Sequence, residues 1–172
     1  ILLALKIQAA SQSTMNNISW GNEKYQYYET ICGGTGAGIN KNGKPYNGTS
    51  GIQSHMTNSR LTDPEILELR FPVIIQEFSI RKRSGGKGKF FGGNGVLRKI
   101  KFLEKMKLSI LSGHRKRRTP GLDGGKKGKI GKNYIIRKNG QKEKLVYASQ
   151  SLINKGDVLI IKTPGGGGYG KT

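Results

Sequence analysis

The sequence predicts a mostly β protein with few short helices, an antiparallel sandwich or barrel-like module that belongs to a larger α+β protein. Three observations lead to this fold class. The chain has 27 glycines but only 5 prolines among its 172 residues, apolar runs of strand length lie between the glycines, and helix signals are few. Glycine interrupted by apolar runs is typical of ordered structure with long glycine-rich loops rather than of a flexible linker. The length fits one domain.

Six strands are predicted from alternating or continuous apolar runs bounded by turn residues. A hairpin with a type I′ turn is indicated by Asn139-Gly140, although the connecting loop is longer than two residues. A second turn is indicated at Asn154-Lys155-Gly156 before the last strand. The six predicted strands are Val73–Ile80, Val96–Phe102, Lys107–Leu111, Tyr134–Arg137, Lys144–Tyr147 and Asp157–Thr163.

Two segments carry helix signals. Leu2–Ala10 has the composition of the end of a helix. Thr62 or Asp63 is placed to cap a short helical turn with Pro64 at its first position. We therefore divide the single domain, residues 1–172, into a loop-rich segment, residues 1–72, that carries the candidate site and a β-rich segment, residues 73–172.

The formal net charge is +21, and most of it lies in residues 81–144, which hold 22 of the 31 Lys and Arg residues and only three acidic residues. Such a patch is able to bind nucleic acid or a phosphorylated ligand. A lysine-rich proteome, or an acidic partner segment that compensates the charge, would account for the same excess of cations. The basic run His114–Arg118 has little aromatic interleaving, which favours a loop that reaches a phosphate, or a solvated loop, over a nucleic-acid site.

The candidate site lies in the polar, glycine-punctuated block Tyr27–Pro72. His55 is a candidate catalytic group, as a proton shuttle or a ligand, because imidazole titrates near neutral pH. Asn58 is a candidate polar contact for a substrate, and Arg60 is a candidate partner for a carboxylate. A structural histidine is the alternative for His55.

Glu29 precedes the glycine loop Gly33-Gly34-Thr35-Gly36 and is a candidate base or metal ligand. The alternative for Glu29 is an ion pair with one of the many cations. No spacing of His and carboxylates completes a metal site, so the metal stays unknown. The single Cys32 excludes an internal disulfide and a zinc cluster, which favours a reducing compartment.

Two glycine runs resemble phosphate-binding loops. The end of the chain, Gly165–Thr172, satisfies the pattern G-x-x-x-x-G-K-T, but no helix follows it to complete the site, and we expect close backbone packing instead. The run Ser84–Gly95 is able to form an anion nest, but a tight loop between two strands is favoured. No apolar run reaches membrane length. Because the chain starts at Ile1, with a segment like the end of an element, we expect a fragment of a longer protein.

Polar and glycine-rich motifs occur along the chain in six segments: Ala9–Asn17, Tyr27–Gly38, Ser54–Val73, Ser84–Val96, Gly121–Gly125 and Thr163–Gly170. The motifs and their order resemble the hydantoinase B/oxoprolinase family, most closely its C-terminal part. The resemblance covers nearly the whole chain in family order. One departure is Gln53, since family members often carry a second histidine just before the SHMTN motif.

The resemblance implies an ATP-dependent amidase of the cytoplasm that acts on a small lactam. A hydantoinase A-like portion or subunit phosphorylates the lactam oxygen of 5-oxoproline, with ATP and Mg bound by that absent portion. The hydantoinase B-like portion then opens the ring, and a divalent metal, if used, is bound mainly upstream in the rest of that portion.

For residues, the resemblance implies substrate contacts from Asn16 and Asn58 and a phosphate or oxyanion site at the amides of Gly33, Gly34 and Gly36. We expect a homo- or hetero-oligomer and no membrane partner, and we do not favour nucleic acid. A β-rich scaffold or subunit interface without its own chemistry is the alternative function, and a basic nucleic-acid-binding module is a second one.

Overall fold

The computed structural model describes residues 8–12, 15–53 and 60–172. These residues form eleven β-strands and one short α-helix, and no helix among them is long and apolar enough to cross a membrane. The elements in chain order are β1 (Asn16–Gly21), β2 (Gln26–Ile31), β3 (Gly38–Ile39), β4 (Pro45–Tyr46), α1 (Pro64–Arg70), β5 (Val73–Ile80), β6 (Val96–Phe102), β7 (Met106–Ser112), β8 (Lys132–Ile136), β9 (Lys142–Leu145), β10 (Ala148–Ile153) and β11 (Val158–Lys162).

Nine of the strands form two antiparallel sheets that pack face to face, and β3 and β4 pair in a separate two-stranded sheet. The first has four strands in the order β10-β7-β1-β2, and the second has five in the order β5-β6-β11-β8-β9. The inward side chains of both sheets belong to one buried cluster. Trp20 of β1 packs edge-on against Phe102 of β6 with ring centroids 5.6 Å apart. Apolar burial between the two sheets is therefore the main force that holds the sandwich together.

The antiparallel, mostly β fold is confirmed, and two predicted strands, Val73–Ile80 and Val96–Phe102, have the predicted bounds. The other four are present with bounds shifted by one or two residues. Three further strands of the first sheet, β1, β2 and β10, were not predicted. Both β1 and β2 come from residues 1–72 and are hydrogen-bonded to the first sheet, so the loop-rich segment also supplies half of that sheet.

The helix α1 confirms one of the two helix predictions. Asp63 is the N-cap, and its side chain accepts a hydrogen bond from the Glu65 amide at 2.9 Å, with Pro64 in the first turn. Leu67 is the buried residue of this helix and anchors it to the core. The other prediction, Leu2–Ala10, lies mostly outside the described residues, and the described part, residues 8–10, is not helical.

The β8–β9 hairpin is present, but the predicted type I′ turn is wrong. A type I′ turn needs positive φ at both central residues. In this loop Gly140 has a φ of 85°, and Asn139 is not among the residues with positive φ. The Gly140 amide donates to the Arg137 carbonyl at 2.8 Å. This geometry is that of a longer loop that ends in a single left-handed glycine.

The C-terminal segment Pro164–Gly170 lies at one end of the sandwich, surrounded by loops from the rest of the chain. We call it the glycine strand, although it is not one of the eleven β-strands. It contacts the backbone of residues 10, 34–37, 84–93 and 119–129. At Gly165, Gly166, Gly167 and Gly168 an added Cβ would come closer than 3.0 Å to a backbone carbonyl of a neighbouring loop. Only residues without a side chain allow this density of backbone packing.

All the amides from Gly165 to Gly170 donate hydrogen bonds to protein carbonyls. The Gly166 amide donates to Gly93 at 2.9 Å, the Gly167 amide to Ala10 at 2.7 Å and the Gly168 amide to Lys126 at 3.0 Å. These amides are therefore not free to bind phosphate, which agrees with the interpretation of the Gly-Lys-Thr ending as a structural element. The amides of Ser84 and Gly85 are similarly bound by Asn94 Oδ1, at 2.8 and 3.0 Å.

Replacing Gly166 by Ala is predicted to destabilise the protein by about 3 kcal/mol or more, because the new methyl group collides with the Thr35 carbonyl, a backbone atom that cannot turn away. The matched control is Gly140→Ala, whose Cβ meets nothing within 4 Å and whose only cost comes from its φ of 85°, about 1 kcal/mol. Urea denaturation measures both changes. Equal losses in the two variants would contradict the packing role of the glycine strand.

Candidate functional site

The carboxylate of Glu29, a candidate catalytic group, is buried between the two sheets. Arg98 of β6 binds it with two parallel hydrogen bonds, Nε to Oε1 at 2.8 Å and Nη2 to Oε2 at 3.1 Å. The exposed fractions of the two side chains are 4% for Glu29 and 1% for Arg98. The pair joins β2 of the first sheet to β6 of the second, so Glu29 has a structural partner for its charge.

Tyr27 extends this ion pair toward the surface. Its hydroxyl donates to Oε2 of Glu29 at 2.9 Å and lies 2.9 Å from Oγ1 of Thr62. Burial raises the pKa of Tyr27 to about 12, so the hydroxyl keeps its proton at neutral pH and acts as a donor. Nη1 of Arg98 is buried and has no acceptor among the described residues. Apart from that one nitrogen, hydrogen bonds join the polar groups of Tyr27, Glu29 and Arg98.

A cavity of about 540 Å³ lies beside this cluster, at the edge of the sandwich between β2 and β5. Gln53 and Arg60 flank the undescribed residues 54–59 in the sequence, and both line the cavity. Burial raises the pKa of the Cys32 thiol to about 11, which makes Cys32 a poor nucleophile at neutral pH. The lining residues are Cys32, Gly51, Ile52, Gln53, Arg60, Leu61 and Phe78.

The structure places Asn16, a predicted substrate contact, in a buried polar network. Its Nδ2 donates to Gln12 Oε1 at 2.5 Å and to the Ile31 carbonyl at 3.0 Å. Its Oδ1 accepts from Nη1 of Arg115 at 2.7 Å. Each polar atom of the Asn16 side chain is thus bound by protein, which favours a supporting role for Asn16 over direct contact with a ligand.

The amides of the Gly33-Gly34-Thr35-Gly36 loop also donate to protein. Gly34 donates to the Pro164 carbonyl at 3.1 Å, and Gly36 donates to Ser11 Oγ at 3.1 Å. Gly33 forms an isolated bridge with Ile52. The expected phosphate or oxyanion site at Gly33, Gly34 and Gly36 would need these amides to leave their present acceptors. In the structure the loop connects β2 to the glycine strand and to the cavity wall.

His55 and Asn58 lie outside the described residues. Arg60 is exposed at the cavity wall, which suits a carboxylate partner. Of the predicted site residues, the structure therefore places Arg60 at the cavity and puts Glu29 and the glycine loop close behind its wall. Asn16 lies further inside the sandwich.

Two residues of this region were missed by the sequence analysis, Arg98 and Arg115. Arg98 sits at an inward position of β6, whose burial alternates along Val96–Phe102, and a cation at such a position needs a buried partner. That signal was present in the sequence. Arg115 stood out only as one member of the basic run His114–Arg118, with nothing to separate it from its solvated neighbours.

No group of three or more His, Cys, Asp or Glu residues that would hold a metal ion occurs in residues 8–12, 15–53 and 60–172. Together with the bound amides of both glycine runs, this means that the described residues do not fit a nucleotide–Mg or metal site. We derive no chemical step through either group.

The sequence model of the family described as Hydantoinase B/oxoprolinase matches residues 1–172. The chain belongs to this family. It is 48% identical over 171 residues to a 5-oxoprolinase of Dictyostelium discoideum and 45% identical over 170 residues to 5-oxoprolinase 1 of Arabidopsis thaliana. Each alignment covers 99% of this chain and 13% of the relative. The chain thus spans about one eighth of the length of these curated relatives.

Two solved structures share the fold. An ATP-dependent caprolactamase from Pseudomonas jessenii has a TM-score of 0.74 and 26% identity, with 95% of this chain and 30% of the caprolactamase chain aligned. The nucleotide-free acetone carboxylase has a TM-score of 0.76 at 17% identity, which supports the fold alone, over 26% of its chain. In both proteins the module is part of a larger chain, as the sequence analysis predicted.

Replacing Glu29 by Gln is predicted to cost about 3 kcal/mol or more in folding free energy, because Arg98 is then left with an uncompensated buried charge. The matched control is Glu77→Gln, which removes a pair with Lys99 whose side chains are each 34% exposed and costs less than about 1 kcal/mol. Chemical denaturation measures the free energy of unfolding of both variants. A Glu29→Gln protein as stable as the wild type would show that the ion pair does not support the sandwich.

Proposed function

We propose that this chain is the C-terminal part of an ATP-dependent cyclic-amide hydrolase of the 5-oxoprolinase type. The observation that carries the proposal is the identity of 45–48% to 5-oxoprolinases along 99% of the chain. The fold shared with an ATP-dependent caprolactamase supports hydrolysis of a lactam. Because the chain spans 13% of those relatives, the activity belongs to a longer protein, and we do not expect it from this part alone.

In the proposed reaction an ATP-binding portion, hydantoinase A-like and outside this chain, phosphorylates the lactam oxygen of 5-oxoproline. Water adds to the activated ring carbon, and the ring C–N bond breaks with a proton delivered to nitrogen, which leaves an acyl phosphate. A second water then hydrolyses this acyl phosphate and releases phosphate from the former lactam oxygen. The products are glutamate, ADP and phosphate. This step needs a group that moves the water proton and donors that hold the developing negative charge.

Within this chain we assign the cavity beside Cys32 to the lactam. Arg60, exposed on its wall, is proposed to bind the substrate carboxylate. His55 is proposed as the proton shuttle or a ligand, and Asn58 as a polar contact. Glu29 is proposed as a positioning residue, because its carboxylate already binds Arg98.

Asn16 and the loop at Gly33, Gly34 and Gly36 are proposed to support the cavity from behind, since their polar groups are bound within the protein. We further propose that the protein is cytoplasmic and that the remaining hydantoinase B-like portion supplies any divalent metal. We also propose, from the family resemblance, that the protein forms a homo- or hetero-oligomer.

A scaffold function is the second candidate, and one observation favours it. The polar atoms of Asn16, the carboxylate of Glu29 and the amides of the glycine loop all bind protein groups. On this account the module holds the rest of the enzyme in place, and substitutions in its loops change assembly before they change turnover.

The proposal predicts that the full-length protein shows 5-oxoproline-stimulated ATP hydrolysis with glutamate formation. His55→Ala is expected to lower glutamate formation by ~10²-fold or more if it moves a proton, and Arg60→Ala is expected to raise the KM for 5-oxoproline more than it lowers kcat, because it removes uniform binding. The control is Arg70→Ala, an exposed residue of α1.

Glutamate release and ADP release are measured in parallel on each variant. If His55→Ala forms glutamate at the wild-type rate, His55 does not transfer a proton in the reaction. Unchanged turnover in both site variants, together with a changed oligomeric state, would favour the scaffold function.

A further inference from the structure

Arg115 is held at one end of the sandwich by neutral acceptors only. Its Nη1 donates to Asn16 Oδ1 and to the Gly113 carbonyl, both at 2.7 Å. Its Nε and Nη2 donate to Asn133 Oδ1 at 3.1 and 2.9 Å. Four of its five N–H groups are used, and one N–H on Nη2 is left. The guanidinium is therefore fixed in position while its charge has no opposite charge beside it.

Arg81 lies next to Arg115 and is held less completely. Its Nη1 donates to the Ile130 carbonyl at 2.8 Å and to the Thr163 carbonyl at 2.9 Å. No acceptor among the described residues binds its Nε or Nη2. Gly131, the residue after Ile130, is packed against the Arg115 guanidinium so closely that an added Cβ would lie 2.8 Å from Nε. The two guanidiniums thus flank one dipeptide, Ile130-Gly131.

The chain supplies no counter-charge for this pair. In the described part of the chain, the ion pairs of arginine are Arg98 with Glu29 and Arg137 with Glu143 and Asp157. The undescribed residues 1–7, 13–14 and 54–59 contain no Asp or Glu. Lys129 and Lys132, on either side of the dipeptide, add further positive charge. Two partly buried cations side by side repel each other and lose hydration, so this arrangement favours an anion.

Protonation energetics agree with the geometry. Burial, and to a lesser extent the neighbouring charge of Arg81, together lower the pKa of Arg115 to about 9. Burial also lowers the pKa of Arg81. Both lowered pKa values mean that the folded protein keeps these two side chains charged at a cost in free energy. A bound anion would reduce that cost.

We propose that Arg81 and Arg115 form a binding site for a small oxyanion, a phosphate or a carboxylate, beside Ile130 and Gly131. The donors available to it are Nε and Nη2 of Arg81 and the remaining N–H of Arg115. A planar guanidinium presents paired N–H groups that match two oxygens of phosphate or carboxylate. Both arginines are partly exposed, so a dissolved anion reaches them without unfolding of the module. The proposal does not rest on the proposed function.

The test is isothermal titration calorimetry of the full-length protein at low ionic strength, with inorganic phosphate in one experiment and 5-oxoproline, a carboxylate, in the other. Binding of either anion is expected to weaken ~10-fold or more in Arg81→Gln, through the loss of charged hydrogen bonds. Arg115→Lys keeps the positive charge but loses the paired N–H groups of the guanidinium, and it is expected to weaken binding of the same anion.

The matched control is Arg117→Gln, which removes an exposed charge from the same basic loop and is expected to change affinity less than ~2-fold. Thermal melting establishes that each variant is folded. If Arg81→Gln weakens the binding of phosphate alone, the pair is a phosphoryl site, and if it weakens the binding of 5-oxoproline alone, the pair is a carboxylate site. The proposal is overturned if neither anion binds, if Arg81→Gln binds like the wild type, or if Arg117→Gln loses as much affinity as Arg81→Gln.

Discussion

Backbone packing around the glycine strand, Pro164–Gly170, is the constraint on which the rest of this structure depends. Hydrogen bonds from this strand reach the segments before β1, after β2, between β5 and β6, and between β7 and β8. These segments are far apart in the sequence, and they meet because the four consecutive glycines Gly165–Gly168 have no side chains to separate them. The glycine strand follows β11 directly, so the second sheet determines where it lies. The candidate cavity and the arginine pair both lie on loops that it fixes.

The two arginine clusters, one buried and one partly exposed, show how differently a positive charge is accommodated in the same sandwich. Arg98 has a carboxylate with good bidentate geometry, and the pair is neutral as a unit. Arg115 has four hydrogen bonds to neutral groups and a cationic neighbour. Desolvation acts against the charge in both cases, but only the first is compensated within the chain. This contrast is why we assign positioning to the Glu29–Arg98 pair and ligand binding to Arg81 and Arg115.

The sequence predicts the fold class and six of the strands because apolar runs such as Val73–Ile80 carry their own signal. It fails for β1, whose outward positions are Asn17, Ser19 and Gly21, and for β10, whose inward face includes Ser149 and Ser151, because neither strand shows a clear apolar face. The site was predicted less well. The alternation of β6 indicates that Arg98 is inward-facing, but Glu29 lies 69 positions away in the sequence, and no local pattern identifies it as the partner. Long-range pairing of this kind requires the tertiary structure.

The most direct test of the central role of the glycine strand is amide hydrogen exchange of Gly166 and Gly167, whose N–H groups donate to Gly93 and Ala10. If the packing of the fold depends on this strand, both amides exchange only through global unfolding. They then exchange as slowly as the amide of Ile100 in the central part of β6. If they exchange much faster than Ile100 under the same conditions, the glycine strand opens locally, and the fold does not depend on it.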